Sequence, residues 1–171
     1  MRKLKVLDPS DSSVQSAIER VMLEIVQDRN PDWKIVDWKS IVAELNLSLV
    51  WQKAKPDAAW QDCNGRFIIA ECYARVDELK PGHRRKLALD ALKLLSLRNA
   101  VNDPLLLRCL LIVPEELEKQ LLTDTWLSVS IRQAAEVVAV RLSDDLLTQL
   151  RETVKLQGAG QARKIKEVVE K

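Results

Sequence analysis

The chain has little of what several common protein classes require. Its 171 residues include four glycines, three cysteines and one histidine. No uninterrupted apolar run reaches the ~18 residues that a membrane-spanning helix needs, so no such helix is expected. With so few glycines and no Gly-rich phosphate loop, we do not expect a nucleotide-binding fold of the Rossmann or Walker type. A single histidine without a Gly-x-Ser-x-Gly motif also leaves no hydrolase triad.

The cysteines exclude two further kinds of stabilisation. Cys63, Cys72 and Cys109 are an odd number and have no metal-like spacing. Neither a structural zinc site nor a disulfide framework is therefore expected. The first residues lack the long apolar region of a secretory signal. From these features we expect a cytoplasmic protein.

The composition is that of a globular protein, because 47% of the residues are hydrophobic and 30% are charged. The net charge of +2 says little about partners, whereas the distribution of charge says more. Between residues 80 and 98, six cations accompany one acid, Asp90. This cationic excess predicts a phosphate-facing surface, with a solvated helix face as the alternative. The six cations are Lys80, Arg84, Arg85, Lys86, Lys93 and Arg98.

Hydrophobic periodicity and turn residues predict an alternation of helices and strands. Helices are predicted over 13–29, 37–45, 82–98 and 144–156, with a short one after Pro114; strands are predicted over 47–51, 56–61, 67–75, 105–113 and 137–142. This order predicts an α/β fold with a mixed central sheet, in which a three-stranded antiparallel meander precedes helix-strand crossovers and helices cover both faces. We expect one domain over residues 1–171, with residues 158–171 as a flexible tail or a separate short helix.

The most informative segment is the hairpin predicted around the Asn64-Gly65 turn. Glu71 is an acid within the apolar second strand of this hairpin, where a carboxylate needs a cation, a metal or a hydrogen-bond donor. Asp57, across the hairpin, would supply the second carboxylate of a divalent metal site. Because side chains alternate along a strand, one row is predicted to contain Phe67, Ile69, Glu71, Tyr73 and Arg75.

The same residues carry a resemblance to a known family. Pro56-Asp57, then thirteen residues (58–70), then Glu71-Cys72-Tyr73 resembles the PD-(D/E)XK signature of the restriction-endonuclease-like nuclease superfamily. The element order over residues 13–142 also resembles that superfamily's core of a helix, three meandering strands, a helix and a further strand. The resemblance implies a restriction-endonuclease-like domain that hydrolyses DNA phosphodiester bonds as a metal-dependent endonuclease. It implies Asp57, Glu71 and the Cys72 backbone carbonyl as ligands of Mg²⁺ or Mn²⁺.

The chain departs from the signature at Tyr73, where the family usually has a lysine. A tyrosine is neutral at pH 7 and supplies no positive charge. Arg75 and Lys86 are the first candidates to replace that charge, and arginine would act only by charge stabilisation because it is a poor base. The expected catalytic residues are Asp57, Glu71, Tyr73, Arg75 and Lys86. Accessory roles are expected for Glu24, Lys55, His83 and Asp90, and nucleic-acid contacts for Lys80, Arg84, Arg85, Lys86 and Lys93.

The sequence leaves alternatives open. As a nuclease the chain is expected to act on DNA, as a homodimer whose two sites address two strands. Tyr73 is also consistent with a non-catalytic DNA- or protein-binding module that keeps the fold, with Glu71 in a structural ion pair. A third interpretation is an α/β structural subunit in which Glu71 only pairs with a cation.

Overall fold

The computed structural model describes residues 12–153 and residue 155. The predicted tail, residues 158–171, lies outside the described residues. The helices are α1 (Ser12–Arg29), α2 (Trp38–Glu44), α3 (Pro81–Ala100), α4 (Glu115–Leu121), α5 (Trp126–Ala134) and α6 (144–153). The strands are β1 (Lys34–Ile35), β2 (Ala58–Gln61), β3 (Phe67–Cys72), β4 (Leu107–Pro114) and β5 (Glu136–Val140), and two 3₁₀ helices span Leu49–Lys53 and Pro104–Leu106.

The five strands form one mixed sheet in the order β1-β2-β3-β4-β5. The first three strands pair antiparallel, and β3, β4 and β5 run parallel. Since parallel neighbours need a crossover, α3 connects β3 to β4, and α4 and α5 connect β4 to β5. The mixed α/β fold is thus confirmed.

Alternating side chains of β3 divide the interior into two cores. Phe67, Ile69 and Tyr73 belong to a core with α2, α3, α4 and α5, whereas Ile68 and Cys72 belong to one with α1 and α6. The helices on both faces are confirmed, and so is the predicted row for Phe67, Ile69, Glu71 and Tyr73. The strand predicted over 67–75 is shorter than expected, because β3 ends at Cys72, before Arg75. Within the described residues, no helix combines the length and the apolar character needed to cross a membrane.

Two predictions about the meander were wrong. Residues 47–51 do not form a strand: a 3₁₀ helix starts at Leu49, whose side chain is 75% exposed, and the Trp38 indole donates a hydrogen bond to the Trp51 carbonyl. The first strand of the meander is instead the two-residue β1. The second wrong prediction concerns β2, which begins one residue after Asp57 instead of including it. Outside the meander, the helix α5 was not predicted.

Candidate active site

The two predicted acids lie beside each other at one end of the sheet. The last paired residues of β2 and β3 are Ala58 and Ala70, so the next step of the register places Asp57 opposite Glu71. Asp57 Oδ2 accepts a hydrogen bond of 2.8 Å from the Cys72 backbone N–H, which fixes the carboxylate against the end of β3. Glu71 is buried, with 5% of its surface exposed, and Asp57 is exposed. Pairing and hydrogen bonding together bring both carboxyl groups to the same strand end.

The partner of Glu71 is a lysine of α3. Lys93 Nζ lies 2.6 Å from Glu71 Oε1, although the angles at these atoms are unfavourable for a hydrogen bond, so the contact is an ion pair. Burial raises the pKa of Glu71 to about 7 despite Lys93, and the charges of Asp57 and Asp90 add to the increase. Glu71 therefore changes its charge close to neutral pH.

Lys93 also holds the chain next to Asp57. Its Nζ donates a hydrogen bond of 2.8 Å to the backbone carbonyl of Lys55. The sequence placed Lys93 among the nucleic-acid contacts, and the structure places it between β3 and the segment that carries Asp57. Lys55 was predicted to share a strand face with Asp57, but β2 begins only at Ala58. The hydrogen bond from Lys93 to its backbone carbonyl, and not strand pairing, positions Lys55.

Tyr73, at the position of the family lysine, is almost fully buried, with 1% of its surface exposed. The Lys86 ammonium lies 4.7 Å from the centroid of its ring, within the range of a cation–π contact, and 3.1 Å from Asp90 Oδ2. Burial raises the pKa of Tyr73, so the phenol is neutral at pH 7. Burial alone would lower the pKa of Lys86, but Asp90, Glu19 and Asp57 outweigh it and raise that pKa. Lys86 is therefore a cation above a neutral ring.

Arg75 lies in the loop between β3 and α3, and His83 lies in the first turn of α3. Arg75 Nε is buried and has no hydrogen-bond partner among the described residues. His83 Nδ1 accepts a hydrogen bond of 3.3 Å from the Lys80 N–H, and burial, followed by the charges of Arg75 and Lys80, lowers the pKa of His83. In the described part of the chain, neither side chain forms an ion pair or a hydrogen bond with Glu71.

Four of the remaining predicted cations cover the beginning of α3, whereas Arg98 lies in its last turn and donates a hydrogen bond to the Gln133 carbonyl. Lys80 caps this helix, and Arg84 Nε donates to the Leu79 carbonyl at 2.9 Å. Arg85 and Lys86 are exposed on the following turn. The charges of Glu19 and Asp57 help to raise the pKa of Lys86. This cationic surface therefore adjoins the acids. We call it the α3 cationic surface and define it as Lys80, Arg84, Arg85 and Lys86.

A third acid, Glu19 of α1, was missed by the sequence interpretation. Its Oε1 accepts a 3.4 Å hydrogen bond from the Ala74 N–H, and its backbone carbonyl accepts one of 3.6 Å from Cys72 Sγ. Burial raises the pKa of Glu19, and the nearby charge of Asp57 raises it further. Glu19 borders the apolar stripe of α1 as Glu24 does, so spacing alone did not distinguish them; Glu24 is exposed and points to a cavity described below.

The oxygen atoms at this strand end are suitable ligands for a hard divalent cation. Cys72 directs its N–H towards Asp57, and therefore its carbonyl faces the same edge of β3. Continued two residues past its last pair, the register would put Pro56 opposite Cys72, and proline has no N–H to donate to that carbonyl. Two carboxylates and a backbone carbonyl are oxygen ligands suited to Mg²⁺, which keeps several waters. Within residues 12–153, no three His, Cys, Asp or Glu side chains converge on one metal position, so waters would have to complete the shell.

The chain was compared with models of protein families, with curated proteins and with solved structures, and none of these comparisons found a match. The interpretation of the site therefore depends on its own geometry. That geometry brings Asp57, Glu71 and Cys72 together with Lys86 and Lys93. It places Arg75, His83 and the rest of the α3 cationic surface beside them, and Glu24 on a neighbouring wall.

Proposed function

We propose that the protein is a Mg²⁺-dependent nuclease of the PD-(D/E)XK type that hydrolyses phosphodiester bonds of DNA. The observation that carries this proposal is that Asp57, which accepts a hydrogen bond from the Cys72 N–H, lies close enough to Glu71 at the end of β3 for its charge to raise the pKa of Glu71. The element order supports it, because a helix, an antiparallel meander, a helix and a parallel strand follow one another as in the core of that superfamily.

Asp57, Glu71 and the Cys72 carbonyl would hold the metal. A bound Mg²⁺ supplies a water of lowered pKa and offsets the charge that develops on the phosphate. Glu71 must be ionised to act as a ligand, and its pKa of about 7 makes this ionisation pH-dependent. Glu19 would accept hydrogen bonds from waters of the metal shell, since its carboxyl group lies beside the same strand end.

Lys93 supplies the positive charge that Tyr73 lacks. Its ammonium contacts Glu71 directly, whereas the other candidates, Arg75 and Lys86, do not. A cation at this position stabilises a hydroxide nucleophile and the negative charge of the transition state. Lys86, held above the Tyr73 ring, would contact a neighbouring phosphate instead. The lysine of the signature is thus replaced, in this proposal, by one that reaches the site from α3.

The α3 cationic surface would position the DNA backbone. Its side chains occupy the first turns of a 20-residue helix, where the helix dipole also favours an anion. Phosphate contacts of this kind are independent of sequence and weaken as salt increases. The surface therefore predicts binding to DNA without strong base specificity.

The Glu71–Lys93 ion pair favours one alternative, a non-catalytic binding module on the same fold. A buried acid that is neutralised by a lysine requires no metal and no reaction. The two functions differ in a measurable property: the module would bind DNA or protein without metal and would leave DNA intact.

The experiment is a cleavage assay with plasmid and short linear DNA in Mg²⁺ or Mn²⁺. We expect the wild type to cut, and Asp57→Asn and Glu71→Gln to lose at least about a hundredfold in rate. Glu44→Gln, which removes an exposed acid of α2, is the matched control and should cut normally. The wild-type rate should rise between pH 6 and pH 8, since Glu71 with a pKa of about 7 becomes ionised in this interval.

Calorimetric titration with Mn²⁺ separates the two functions. The nuclease should bind the ion with an affinity that Asp57→Asn and Glu71→Gln abolish and Glu44→Gln leaves intact. Binding of DNA by a wild type that neither takes up Mn²⁺ nor cleaves any DNA would establish the module instead.

A further inference from the structure

A cavity of about 580 Å³ lies between α1 and the segment that leads into β2. Its wall includes Arg20, Glu24 and Asp28 from one face of α1, Ile35 from the edge strand β1, and Lys55 and Asp57. Asp57 is therefore shared by the cavity and the candidate metal site. A volume of this size is within the range of pockets that hold one small organic molecule, about 300–1,000 Å³.

The chemistry of the wall is mixed in a specific way. Ile35 is 81% exposed and offers an apolar surface at the edge of the sheet. The carboxylates of Glu24 and Asp28 form no hydrogen bond or ion pair with other described residues, so both can accept N–H donors. Arg20 and Lys55 are exposed cations on the same wall. A ligand that suits these groups combines a flat apolar ring, exocyclic amino groups and a phosphate.

Building on the proposed nuclease function, we propose that this cavity receives one unpaired nucleotide next to the phosphate that is cleaved at Asp57 and Glu71. Its base lies against Ile35, an exocyclic amino group donates to Glu24 or Asp28, and its phosphate contacts Arg20 or Lys55. A cavity of this volume accommodates one nucleotide. A base in intact duplex DNA must first be unstacked and unpaired, whereas one in a single strand or flap is free to enter.

The proposal therefore names the substrate class as DNA with an unpaired nucleotide. Binding is measured by fluorescence anisotropy with one labelled oligonucleotide, as a single strand and as a blunt duplex, in Ca²⁺ instead of Mg²⁺. We expect the single strand to bind at least about tenfold more tightly, which is within the range measured for contacts of one base with a protein surface. Among single strands, oligo-dC should bind more tightly than oligo-dT, because cytosine carries an amino group and thymine does not.

Ile35→Glu and Leu105→Glu form a matched pair of variants. Both remove an exposed apolar side chain, 81% and 82% exposed, and both add one negative charge, but Leu105 is not part of the cavity wall. The measured quantity is the ratio of single-strand to duplex affinity, because an effect of charge alone weakens both. Ile35→Glu should reduce this ratio to near one, and Leu105→Glu should leave it unchanged. The double variant Glu24→Ala/Asp28→Ala, which removes both hydrogen-bond acceptors, should remove the preference for oligo-dC.

Three results would overturn the inference, and they are distinguishable. Equal binding of single strand and duplex by the wild type, together with Mg²⁺-dependent cleavage, would refute the nucleotide pocket and leave the nuclease proposal standing. Binding of neither form of DNA, together with no cleavage, would refute both. An equal change of the ratio in Ile35→Glu and Leu105→Glu would also refute the pocket.

Discussion

The charged side chains at the two ends of the central sheet differ in how they are paired and hydrogen-bonded. At the hairpin end, Arg108 makes two hydrogen bonds, of 2.9 and 2.7 Å, to Glu136, and Asp62 accepts hydrogen bonds from Arg66 and Asn64. At the acid end, the buried Glu71 makes an ionic contact with Lys93, and the carboxyl groups of Asp57 and Glu19 lie at the same strand end.

The shifts in pKa express the same contrast. Although burial opposes it, hydrogen bonds from Arg66 and Asn64 lower the pKa of Asp62, whereas burial raises the pKa of Glu71 and of Glu19. Acids with raised pKa values make the folded state less stable when they are ionised. The hairpin end is thus arranged for stability, and the acid end keeps an arrangement that costs stability, which is common at functional sites.

The largest expected effect is the dependence of stability on pH at Glu71. Its pKa is about 7 in the folded state and near 4.5 in the unfolded chain, so the folded state holds an extra proton between these values. The resulting stabilisation is fully present below about pH 4.5 and is lost as pH rises through 7. Relative to the wild type, Glu71→Gln should therefore gain about 3 kcal/mol in free energy of unfolding between pH 4.5 and pH 8.

Urea unfolding at the two pH values, with Glu44→Gln as the control for loss of an exposed acid, measures this gain. A difference between Glu71→Gln and the wild type that stays constant over this interval would show that the acid end is not strained by ionisation. The comparison between the two ends would then fail on energetic grounds.

The parts of the fold that could be predicted are those with a strong local pattern. The apolar stripe of α1 and the apolar run of β4 are long enough that burial determines their structure, and both were predicted close to their observed bounds. In contrast, β1 has two exposed residues and forms only because β2 offers a pairing edge. Leu47, Leu49 and Trp51 alternate as in a strand, yet α2 ends at Glu44 and the chain turns, with Asn46 at a φ of 51°, into a 3₁₀ helix.

The candidate site shows the same limit. Asp57 and Glu71 could be placed near each other from the sequence, because the Asn64-Gly65 turn predicts the hairpin. A two-residue turn would put Asp57 opposite Cys72, whereas the observed loop, closed by the hydrogen bond from the Asp62 N–H to the Arg66 carbonyl, shifts the register by one residue. Lys93 and Glu19 could not, since their distance from Glu71 depends on how α3 and α1 pack across opposite faces of the sheet. For α5, however, a signal was present: the Thr125 cap and the spacing of Leu127, Ile131 and Ala134 are typical of a short helix.

A smaller effect is expected when one lysine or arginine is removed from each end. Lys93→Met leaves Glu71 without its cation and should cost about 2 kcal/mol in free energy of unfolding at pH 8. Arg108→Met breaks a pair whose side chains are 36% and 53% exposed, so solvent screening should limit its cost to at most about 1 kcal/mol.

The double variant Glu71→Leu/Lys93→Met separates pairing from packing. If the ion pair is retained for function, replacing both charges should restore most of the stability that Lys93→Met loses, while cleavage stays absent. Chemical denaturation of the three variants and the wild type completes the test. An equal loss of stability in Lys93→Met and Arg108→Met would indicate that burial does not distinguish the two pairs.

The smallest effect is expected at Asp62, where the sign of the pH dependence is reversed. Asp62→Asn keeps an oxygen for the Asn64 and Arg66 backbone N–H groups, so it loses mainly the charge opposite Arg66, and the cost at pH 7 should stay below about 1 kcal/mol. Because the folded-state pKa of Asp62 is lowered, this cost should be present above about pH 4 and vanish as pH falls through the folded-state pKa. Thermal unfolding of Asp62→Asn and wild type at pH 7 and pH 3 measures it. A cost that grew towards acidic pH would mean that the folded-state pKa of Asp62 is raised, as that of Glu71 is, and would remove the contrast between the two ends of the sheet.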